Sequence, residues 1–391
     1  MPPVLDLTEL VSRAAAECPD RMAVVESEGR SLTWQELEEQ VARTAAGLED
    51  AGVLAGSRVL FALGNRLEFL STYLGTLRAN AVAVPVNPGS TPGELARMIA
   101  DCGARVVVAD PDSLAVVREA VGASATAADA DAADAPQVVV VAAEPEGREW
   151  GLDRLLAPEA RDVPPRQDPE ALAVLLYTSG TSGRPRAAML SHRALLANLE
   201  QVGAVEPPMI HADDIVLGVV PLFHVYGLNA VLGGVLWNRA KLLLVDRFDP
   251  EDCLDLIEDE ACTVVPVAPA VFEHWLRSEA LAERLGPVRL VLSGSAPLRA
   301  DVIDRFTGKT GLPVHQGYGL TEAAPVVTST LGSTDPEPGS VGTALPGIEL
   351  RLVDEQGHPS EGEDPGEIEI RGDNLFSGYW PDGVDGPDVD G

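Results

Sequence analysis

Short apolar runs alternate with amphipathic stretches over most of the chain. The runs are rich in β-branched residues and are bounded by turn-forming residues, which is typical of buried strands. We predict such strands within residues 57–63, 81–87, 105–110, 137–142, 171–177, 214–220, 241–246, 262–268 and 288–294. Alternation of strands with helices favours parallel sheets that are covered by helices.

The stretches between the predicted strands have the spacing and capping signals of helices. Thr33 and Glu36 have the spacing of a capping box at a helix N-terminus. Apolar residues then recur at helical spacing from Leu37 to Leu48, and Gly52 follows as a helix-ending residue. Residues 93–103 and 113–122 have the same plan.

The pattern changes in the last sixty or so residues of the chain. Residues 348–354 and 366–372 alternate apolar and polar positions among glycines and prolines. Such alternation predicts a small antiparallel β subdomain. We therefore expect a first α/β portion over about 1–170, a second over 171–330 and a β subdomain over 331–391.

Composition excludes several classes of protein. Hydrophobic residues make up 46% of the 391 residues, which is enough for a large core and excludes a largely disordered chain. The net charge of −33 disfavours a nucleic-acid partner, because an acidic surface repels phosphate backbones. The four cysteines form no CxxC pair, no apolar run approaches the roughly 18 residues of a membrane helix, and the N-terminus lacks a basic signal-peptide region. We expect a cytoplasmic protein without a transmembrane segment.

The strongest local chemical signal follows the strand predicted at 171–177. The segment consists of Thr178, Ser179, Gly180, Thr181, Ser182, Gly183, Arg184, Pro185 and Arg186. Its glycines allow backbone N–H groups to point at an anion, its hydroxyls are neutral donors, and its arginines supply positive charge. The segment therefore fits a phosphate-binding loop. Composition alone favours the alternative, an ordinary surface turn.

Two further segments follow predicted strands. Residues 221–227, PLFHVYG, place His224 where open α/β sheets bind ligands, although a histidine satisfied within the core is the alternative. Residues 293–297, SGSAP, are small and would allow a flat ring to approach the backbone. Each segment is weakly specific by itself.

A third segment, residues 316–322, has the sequence QGYGLTE and combines three chemistries. Tyr318 offers an aromatic face on which a base could stack. Thr321 offers a hydroxyl for a phosphate, and Glu322 offers the oxygen ligands that Mg²⁺ prefers. The neighbouring His315 stays ambiguous.

Together and in this order, these segments resemble the adenylate-forming superfamily of acyl-CoA synthetases, aryl-CoA ligases, luciferases and peptide-synthetase adenylation domains. The resemblance spans about residues 30–380. It implies the fold of an acyl-CoA synthetase-like N-terminal domain: an α/β fold with two helix-covered, mainly parallel sheets in a layered αβαβα arrangement, plus a small antiparallel β subdomain. Residues 1–391 then form one AMP-binding large domain.

The resemblance also implies roles for individual residues. Thr178 to Arg186 would hold the ATP phosphates, and Thr321, Glu322 and His224 would be catalytic, with Glu322 as the Mg²⁺ ligand. The adenine and AMP site would consist of Gly294, Ser295, Ala296, Gln316, Gly317, Tyr318, Gly319 and Thr321. The acyl pocket would consist of His224, Val225, Asn229, Val267, Pro269 and Phe272.

Two departures from the family pattern affect these expectations. Pro185, Arg186 and Ala187 stand where the family usually has Pro-Lys-Gly, so the cation is kept with a different geometry. The family's Thr-Gly-Asp motif, its hinge and the small C-terminal domain with the catalytic lysine are not found in the 391 residues. We therefore expect an isolated large domain that binds adenylates better than it makes them.

The resemblance implies ATP, Mg²⁺ and coenzyme A as reaction partners of a carboxylic acid. The acid would become an acyl-adenylate with release of pyrophosphate, and then a CoA thioester with release of AMP. His224 stands where amino-acid-activating relatives have an aspartate, which disfavours amino acids as substrates. We rank a medium- or long-chain fatty acid first and an aryl acid second. Transfer to a carrier-protein thiol, nucleotide binding without turnover, a luciferase-like reaction and assembly as a homodimer stay open.

Overall fold

The computed structural model describes residues 4–127, 135–157, 159, 161, 163, 168–178, 185–333, 336–337, 339–354, 356–360 and 366–388. Part of the predicted phosphate loop lies outside the described residues, namely Ser179, Gly180, Thr181, Ser182, Gly183 and Arg184. The two ends of that loop, Thr178 and Arg186, are described.

The described residues form α/β structure from end to end. The helices are α1 Glu9–Glu17, α2 Trp34–Asp50, α3 Leu67–Arg78, α4 Pro92–Cys102, α5 Leu114–Ala127, α6 Leu152–Leu155, α7 His192–Gly203, α8 Gly234–Asn238, α9 Pro250–Asp259, α10 Pro269–Trp275, α11 Leu281–Arg284 and α12 Ala300–Thr310. The strands are β1 Met22–Glu26, β2 Ser31–Thr33, β3 Arg58–Ala62, β4 Val82–Pro85, β5 Val106–Ala109, β6 Gln137–Val140, β7 Trp150–Gly151, β8 Leu172–Thr178, β9 Arg186–Ser191, β10 Ile215–Gly218, β11 Lys241–Leu244, β12 Val264–Val267, β13 Leu290–Ser293, β14 Val314–Gly319, β15 Val326–Ser329, β16 Thr343–Ala344, β17 Glu349–Val353 and β18 Glu367–Arg371. A π-helix, Tyr226–Gly233, continues directly into α8, and Thr321–Ala323 is a 3₁₀ turn.

Helix starts follow local sequence signals. The predicted capping box of α2 is present, since the Thr33 hydroxyl accepts from the Glu36 backbone N–H and the Glu36 carboxylate accepts from the Thr33 backbone N–H. Thr91 and Glu94 form the same box at α4, and Ser191 caps α7. These interactions satisfy backbone donors that would otherwise lack partners in the first turn of each helix.

Two large sheets organise the described residues. Sheet I has the strand order β16-β15-β14-β13-β12-β10-β11-β1-β2, and sheet II has the order β7-β6-β5-β3-β4-β8-β9. Strand pairs in the middle of both sheets are parallel, while β1–β2, β14–β15, β15–β16 and β8–β9 are antiparallel. Strands β17 and β18 form a separate antiparallel hairpin. The predicted fold class, two mainly parallel sheets with a small antiparallel one, is confirmed.

Helices pack on both faces of each sheet. Apolar residues of α4 and α5 cover the outer face of sheet II, and those of α9, α10 and α12 cover the outer face of sheet I. Helices α1, α2, α3, α7 and α8, together with the π-helix, fill the space between the two sheets. The resulting layers are α, β, α, β and α, as the resemblance implied.

The sheets do not follow the expected division at residue 170. Strands β1 and β2 belong to sheet I with the later strands, and β8 and β9 belong to sheet II with the earlier ones. No helix within the described ranges has the length and apolar character needed to cross a membrane. All four cysteines have free thiols.

Candidate active site

A cavity of about 300 Å³ lies between sheet I and the helices of the middle layer. Its floor is the inner face of four neighbouring strands, β10, β12, β13 and β14. These strands contribute Val216, Val264, Pro266, Leu292 and His315. Register places the floor residues side by side, with Val216 opposite Val264, Pro266 opposite Leu292, and Leu292 opposite His315.

The opposite wall of the cavity is also apolar. It consists of Val202 from α7, Ala230 and Val231 from the π-helix, and Met209 and Ile210 from the connection after α7. A pleated sheet face opposed by a helical wall forms a slot, which suits the apolar part of a small ligand.

Most of the described residues that sequence analysis assigns to nucleotide and acid binding meet at this cavity. They are Thr178, His224, Val225, Gly294, Ser295, Gln316, Gly317, Tyr318, Gly319, Thr321 and Glu322. The structure thus brings together four segments that are far apart in the chain. All four follow or end strands, namely β8, β10, β13 and β14, where ligands bind in open α/β sheets.

Six of the described residues that sequence analysis predicts for the site do not line the cavity: Arg186, Ala296, Asn229, Val267, Pro269 and Phe272. Val267 and Phe272 belong to the apolar cluster on the outer face of sheet I. The Phe272 ring lies edge-to-face against Phe306, with 5.0 Å between ring centroids. The structure therefore places these two side chains on the side of sheet I that faces away from the slot.

Asn229 instead supports the turn that carries Glu322. Its buried side-chain amide donates hydrogen bonds to the carbonyl oxygens of Leu195, at 3.1 Å, and Ala324, at 2.7 Å. On the far side of the turn, the Asn374 amide donates to the Ala323 carbonyl at 2.7 Å. Two buried amides thus fix the backbone next to Glu322, which orients its carboxylate.

The Glu322 carboxylate has a partner that sequence analysis did not identify. The Tyr379 hydroxyl donates to Glu322 Oε1 at 2.5 Å. Burial and the neighbouring Glu322 raise the pKa of Tyr379 to about 12, so the hydroxyl keeps its proton and acts as a donor at neutral pH. Glu322 Oε2 accepts no hydrogen bond from any described residue and stays available to a ligand.

Arg186, the cation at the end of the predicted phosphate loop, is held beside this pair. Its guanidinium carbon lies 3.7 Å from the centroid of the Tyr379 ring, within cation–π distance. Its Nη2 atom lies 2.8 Å from Asp385 Oδ2. Asp385, Arg186, Tyr379 and Glu322 therefore form a continuous chain of contacts from the end of the loop to the cavity.

His224 lies at the rim of the cavity and is exposed to solvent there. Its Nδ1 atom accepts a hydrogen bond from the Tyr226 backbone N–H at 3.3 Å. The surrounding protein lowers the pKa of His224 through partial desolvation, which favours the neutral imidazole. In the neutral form the proton is on Nε2, so the ring can donate one hydrogen bond to a ligand oxygen.

Gly294 lies close to the ring of Tyr226, while the approach of a ligand ring to this segment stays a prediction. A Cβ atom at this position would lie 2.7 Å from Cζ of Tyr226, so a larger residue would displace the tyrosine ring. The next residue, Ser295, has a φ of +71°, in the left-handed region that L-residues seldom adopt. Strained backbone of this kind clusters at functional sites.

A family model described as AMP-binding enzyme matches residues 11–380. This chain belongs to the AMP-binding enzyme family. The resemblance found in the sequence is therefore confirmed at the level of the family.

Several known proteins are similar to this AMP-binding enzyme. The chain is 35% identical over 390 residues to 4-coumarate–CoA ligase 5 of Oryza sativa subsp. japonica, covering 97% of this chain and 70% of that protein. It is 33% identical to ATP-bound MatB from Rhodopseudomonas palustris, with a TM-score of 0.84 and coverage of 95% and 72%. It is 25% identical to a protein described as a long-chain-fatty-acid CoA ligase from Rhodopseudomonas palustris CGA009, with a TM-score of 0.84 and coverage of 97% and 91%.

The described residues also fit the Mg²⁺ that this family implies. No described residues form a group of three or more His, Cys, Asp or Glu side chains that could hold a metal. Mg²⁺ retains waters and is usually bound by one or two carboxylates together with substrate phosphates. A single carboxylate with one unpaired oxygen, Glu322, matches that pattern.

Replacing Tyr379 with phenylalanine should weaken the coupling between Mg²⁺ and ATP binding. The variant keeps the ring under Arg186 but loses the hydroxyl that holds Glu322. We expect the Mg²⁺ concentration for half-maximal ATP binding to rise about 3- to 10-fold, the range of one typical intramolecular hydrogen bond. Calorimetric titrations of ATP at several Mg²⁺ concentrations measure this change.

The control for this prediction is binding of a non-hydrolysable acyl-adenylate mimic without Mg²⁺. We expect Tyr379→Phe to leave that affinity unchanged. If Tyr379→Phe also lowered the affinity for the mimic and the midpoint of unfolding, Tyr379 would have a structural role instead.

Proposed function

We propose that this AMP-binding enzyme joins a carboxylic acid to the thiol of coenzyme A at the expense of ATP. First, a carboxylate oxygen attacks the α-phosphorus of ATP; an O–P bond forms, and the bond to pyrophosphate breaks. Next, the CoA sulfur attacks the acyl carbon; a C–S bond forms, AMP leaves, and the thiol proton passes to solvent. Family membership and relatives named as CoA ligases support the proposal.

The observation that carries this proposal is the continuity of one cavity. Residues of the proposed nucleotide site and the apolar slot line the same space. An acid and ATP can react only if the carboxylate is held against the α-phosphorus, and most of the rate enhancement available to such a step comes from positioning. A single cavity for both substrates meets that requirement.

Four cavity residues have a proposed part in the first step. Tyr318 and Gly294 hold the adenine between a ring and a bare backbone. Thr321 donates to an α-phosphate oxygen. The neutral His224 donates from Nε2 to the substrate carboxylate or the phosphate oxygen beside it. Roles for residues 178–186 at the β- and γ-phosphates stay a prediction from sequence.

Bound with ATP, Mg²⁺ would supply positive charge that neutralises the phosphate oxygens. Glu322 is the residue that would hold it, through the free oxygen of its carboxylate. Tyr379 keeps the other carboxylate oxygen in place.

We propose an aryl or arylpropenoic acid as the substrate class. A flat floor that is apolar apart from His315, opposite a helical wall, suits a planar ring. The Oryza sativa relative is named a 4-coumarate–CoA ligase, which supports an aromatic acid. Among the described residues of the lining, Glu322 is the sole acid, so the ammonium of an α-amino acid would lack a partner other than the proposed Mg²⁺ ligand.

A medium- or long-chain fatty acid is the second candidate. A smaller cavity of about 20 Å³ lies behind the helical wall, and Val202, Met209, Ile210 and Ala230 line both cavities. Movement of these side chains would lengthen the slot for an alkyl chain. The likeness to a protein described as a long-chain-fatty-acid CoA ligase also favours this candidate.

A thermal-shift series with non-hydrolysable acyl-adenylate mimics tests the proposal. The mimics carry benzoyl, arylpropenoyl, octanoyl and palmitoyl groups, and adenosine with an uncharged sulfamate is the control without an acyl group. We expect the arylpropenoyl mimic to give the largest shift, and a ligand at 100 times its Kd adds about 2.7 kcal/mol to the free energy of unfolding. A shift that rises steadily with alkyl length would select the fatty acid. No shift beyond the control with any mimic would refute an adenylate site.

A further inference from the structure

We propose that the floor of the acyl slot selects an acid that carries a hydroxyl group, which donates a hydrogen bond to Nε2 of His315. This inference rests on the proposed function, because it concerns the acid that occupies the same cavity. It assigns His315 as a specificity-determining residue.

His315 is the polar member of an otherwise apolar floor. It lies on β14 next to Leu292 of β13, and the other floor residues are Val216, Val264 and Pro266. Its side chain lines the cavity, yet the residue is only 8% exposed. The His315 ring is therefore placed to contact a ligand that fills the slot.

The hydrogen bond on the other side of the ring fixes the position of the proton. His315 Nδ1 lies 3.1 Å from the carbonyl oxygen of Thr330. A carbonyl oxygen can only accept, so Nδ1 must be the protonated nitrogen. Burial lowers the pKa of His315, while the bond to Thr330 acts in the opposite direction, and the net effect favours the neutral ring. Nε2 then has a bare lone pair.

Nε2 has no hydrogen-bond partner within the part of the chain that the structure describes. The hydroxyl of Thr328, which also lines the cavity, is already used, since it accepts from the Tyr318 backbone N–H and donates to the Val341 carbonyl. A buried acceptor without a partner is costly once a ligand has displaced water from the slot. An alkyl chain or an unsubstituted ring would leave Nε2 in that state.

A neutral donor satisfies this acceptor best. A carboxylate at the far end of the acid would place negative charge against the Nε2 lone pair. An ammonium would be buried among apolar side chains without an acid beside it. A hydroxyl on the ring of an aryl acid donates one hydrogen bond and carries no charge.

The test compares three aryl-adenylate mimics that differ in one substituent: hydroxyl, methoxy or hydrogen at the 4-position, with the 3-substituted set as a second series. Isothermal titration gives the Kd of each mimic for the wild type and for His315→Leu. In at least one of the two series, we expect the wild type to bind the hydroxylated mimic about 10-fold more tightly than the methoxy and the unsubstituted mimics. This factor is the effect of one hydrogen bond. We expect His315→Leu to lose this preference and to bind the unsubstituted mimic at least as well as the wild type.

Two further variants keep the result interpretable. His315→Gln retains an acceptor at this position and should keep part of the preference even if His315→Leu folds poorly. His274→Leu, on the exposed side of α10, is the matched control and should behave as the wild type.

Two outcomes would overturn the role of His315 alone: equal affinities for the three wild-type complexes in both series, or an undiminished preference in His315→Leu. Failure of the wild type to bind any aryl mimic would overturn the proposed aryl substrate together with this inference.

Discussion

Glu322→Gln is expected to lower the affinity for ATP in the presence of Mg²⁺ by about 10- to 100-fold, the usual cost of altering a metal ligand or its support. The amide is nearly isosteric with the carboxylate but has no negative charge to offer the metal. Its backbone position should persist, because the Asn229 and Asn374 amides bond to the neighbouring carbonyl oxygens and not to the Glu322 side chain. Calorimetry of ATP binding with and without Mg²⁺ measures the effect.

The matched control for this substitution is Glu283→Gln on the exposed surface of α11. That variant changes the net charge by the same amount at a residue that does not line the cavity. We expect it to bind Mg²⁺ and ATP as the wild type does. If Glu322→Gln did the same, Glu322 would not be the metal ligand.

Phe272→Ala is expected to lower the free energy of unfolding by about 3–5 kcal/mol, the range for truncating a buried phenylalanine. The Phe272 side chain is fully buried, packs edge-to-face on Phe306 and belongs to the core between sheet I and its outer helices. Truncation leaves a cavity in that core. Urea unfolding followed by circular dichroism measures the change.

Two companion variants separate this structural role from the acyl-pocket role that sequence analysis assigned. Leu54→Ala removes an apolar side chain that is 72% exposed and should leave stability nearly unchanged. Val264→Ala enlarges the slot from its floor and should change the affinities for acyl-adenylate mimics. A change in mimic selectivity in Phe272→Ala larger than that in Val264→Ala would contradict the placement of Phe272 outside the slot.

Strand β12 shows how far the sequence could predict the acyl pocket. Its run of apolar residues predicts a buried strand, and the strand is present. Because side chains alternate across a strand, Val264 and Pro266 face the slot while Val265 and Val267 face the outer core. The run is apolar on both faces, so periodicity alone does not indicate which face meets the ligand, and the predicted pocket residue Val267 lies on the face away from it.

Other features depended on contacts between segments that are distant in sequence. The nucleotide segments could be predicted because each contains its chemistry in a few consecutive residues. The hydrogen bond of Tyr379 to Glu322 joins residues that no local spacing relates. The π-helix at Tyr226–Gly233 and the short strands β1, β2 and β9 were also missed, since an apolar or brief stretch has little local signal.

The exchange of strands between the two sheets bears on the order in which the chain can fold during synthesis. Val24 of β1 lies opposite Leu242 of β11, and Ala83 of β4 lies opposite Val174 of β8. A nascent chain of the first 170 residues therefore has an open edge on sheet II and a β1–β2 hairpin without the sheet to which it belongs. Contacts between such distant residues slow folding and extend the time for which strand edges are exposed. For this protein, we expect the ribosome-bound first half to depend on chaperones until residues 241–244 emerge.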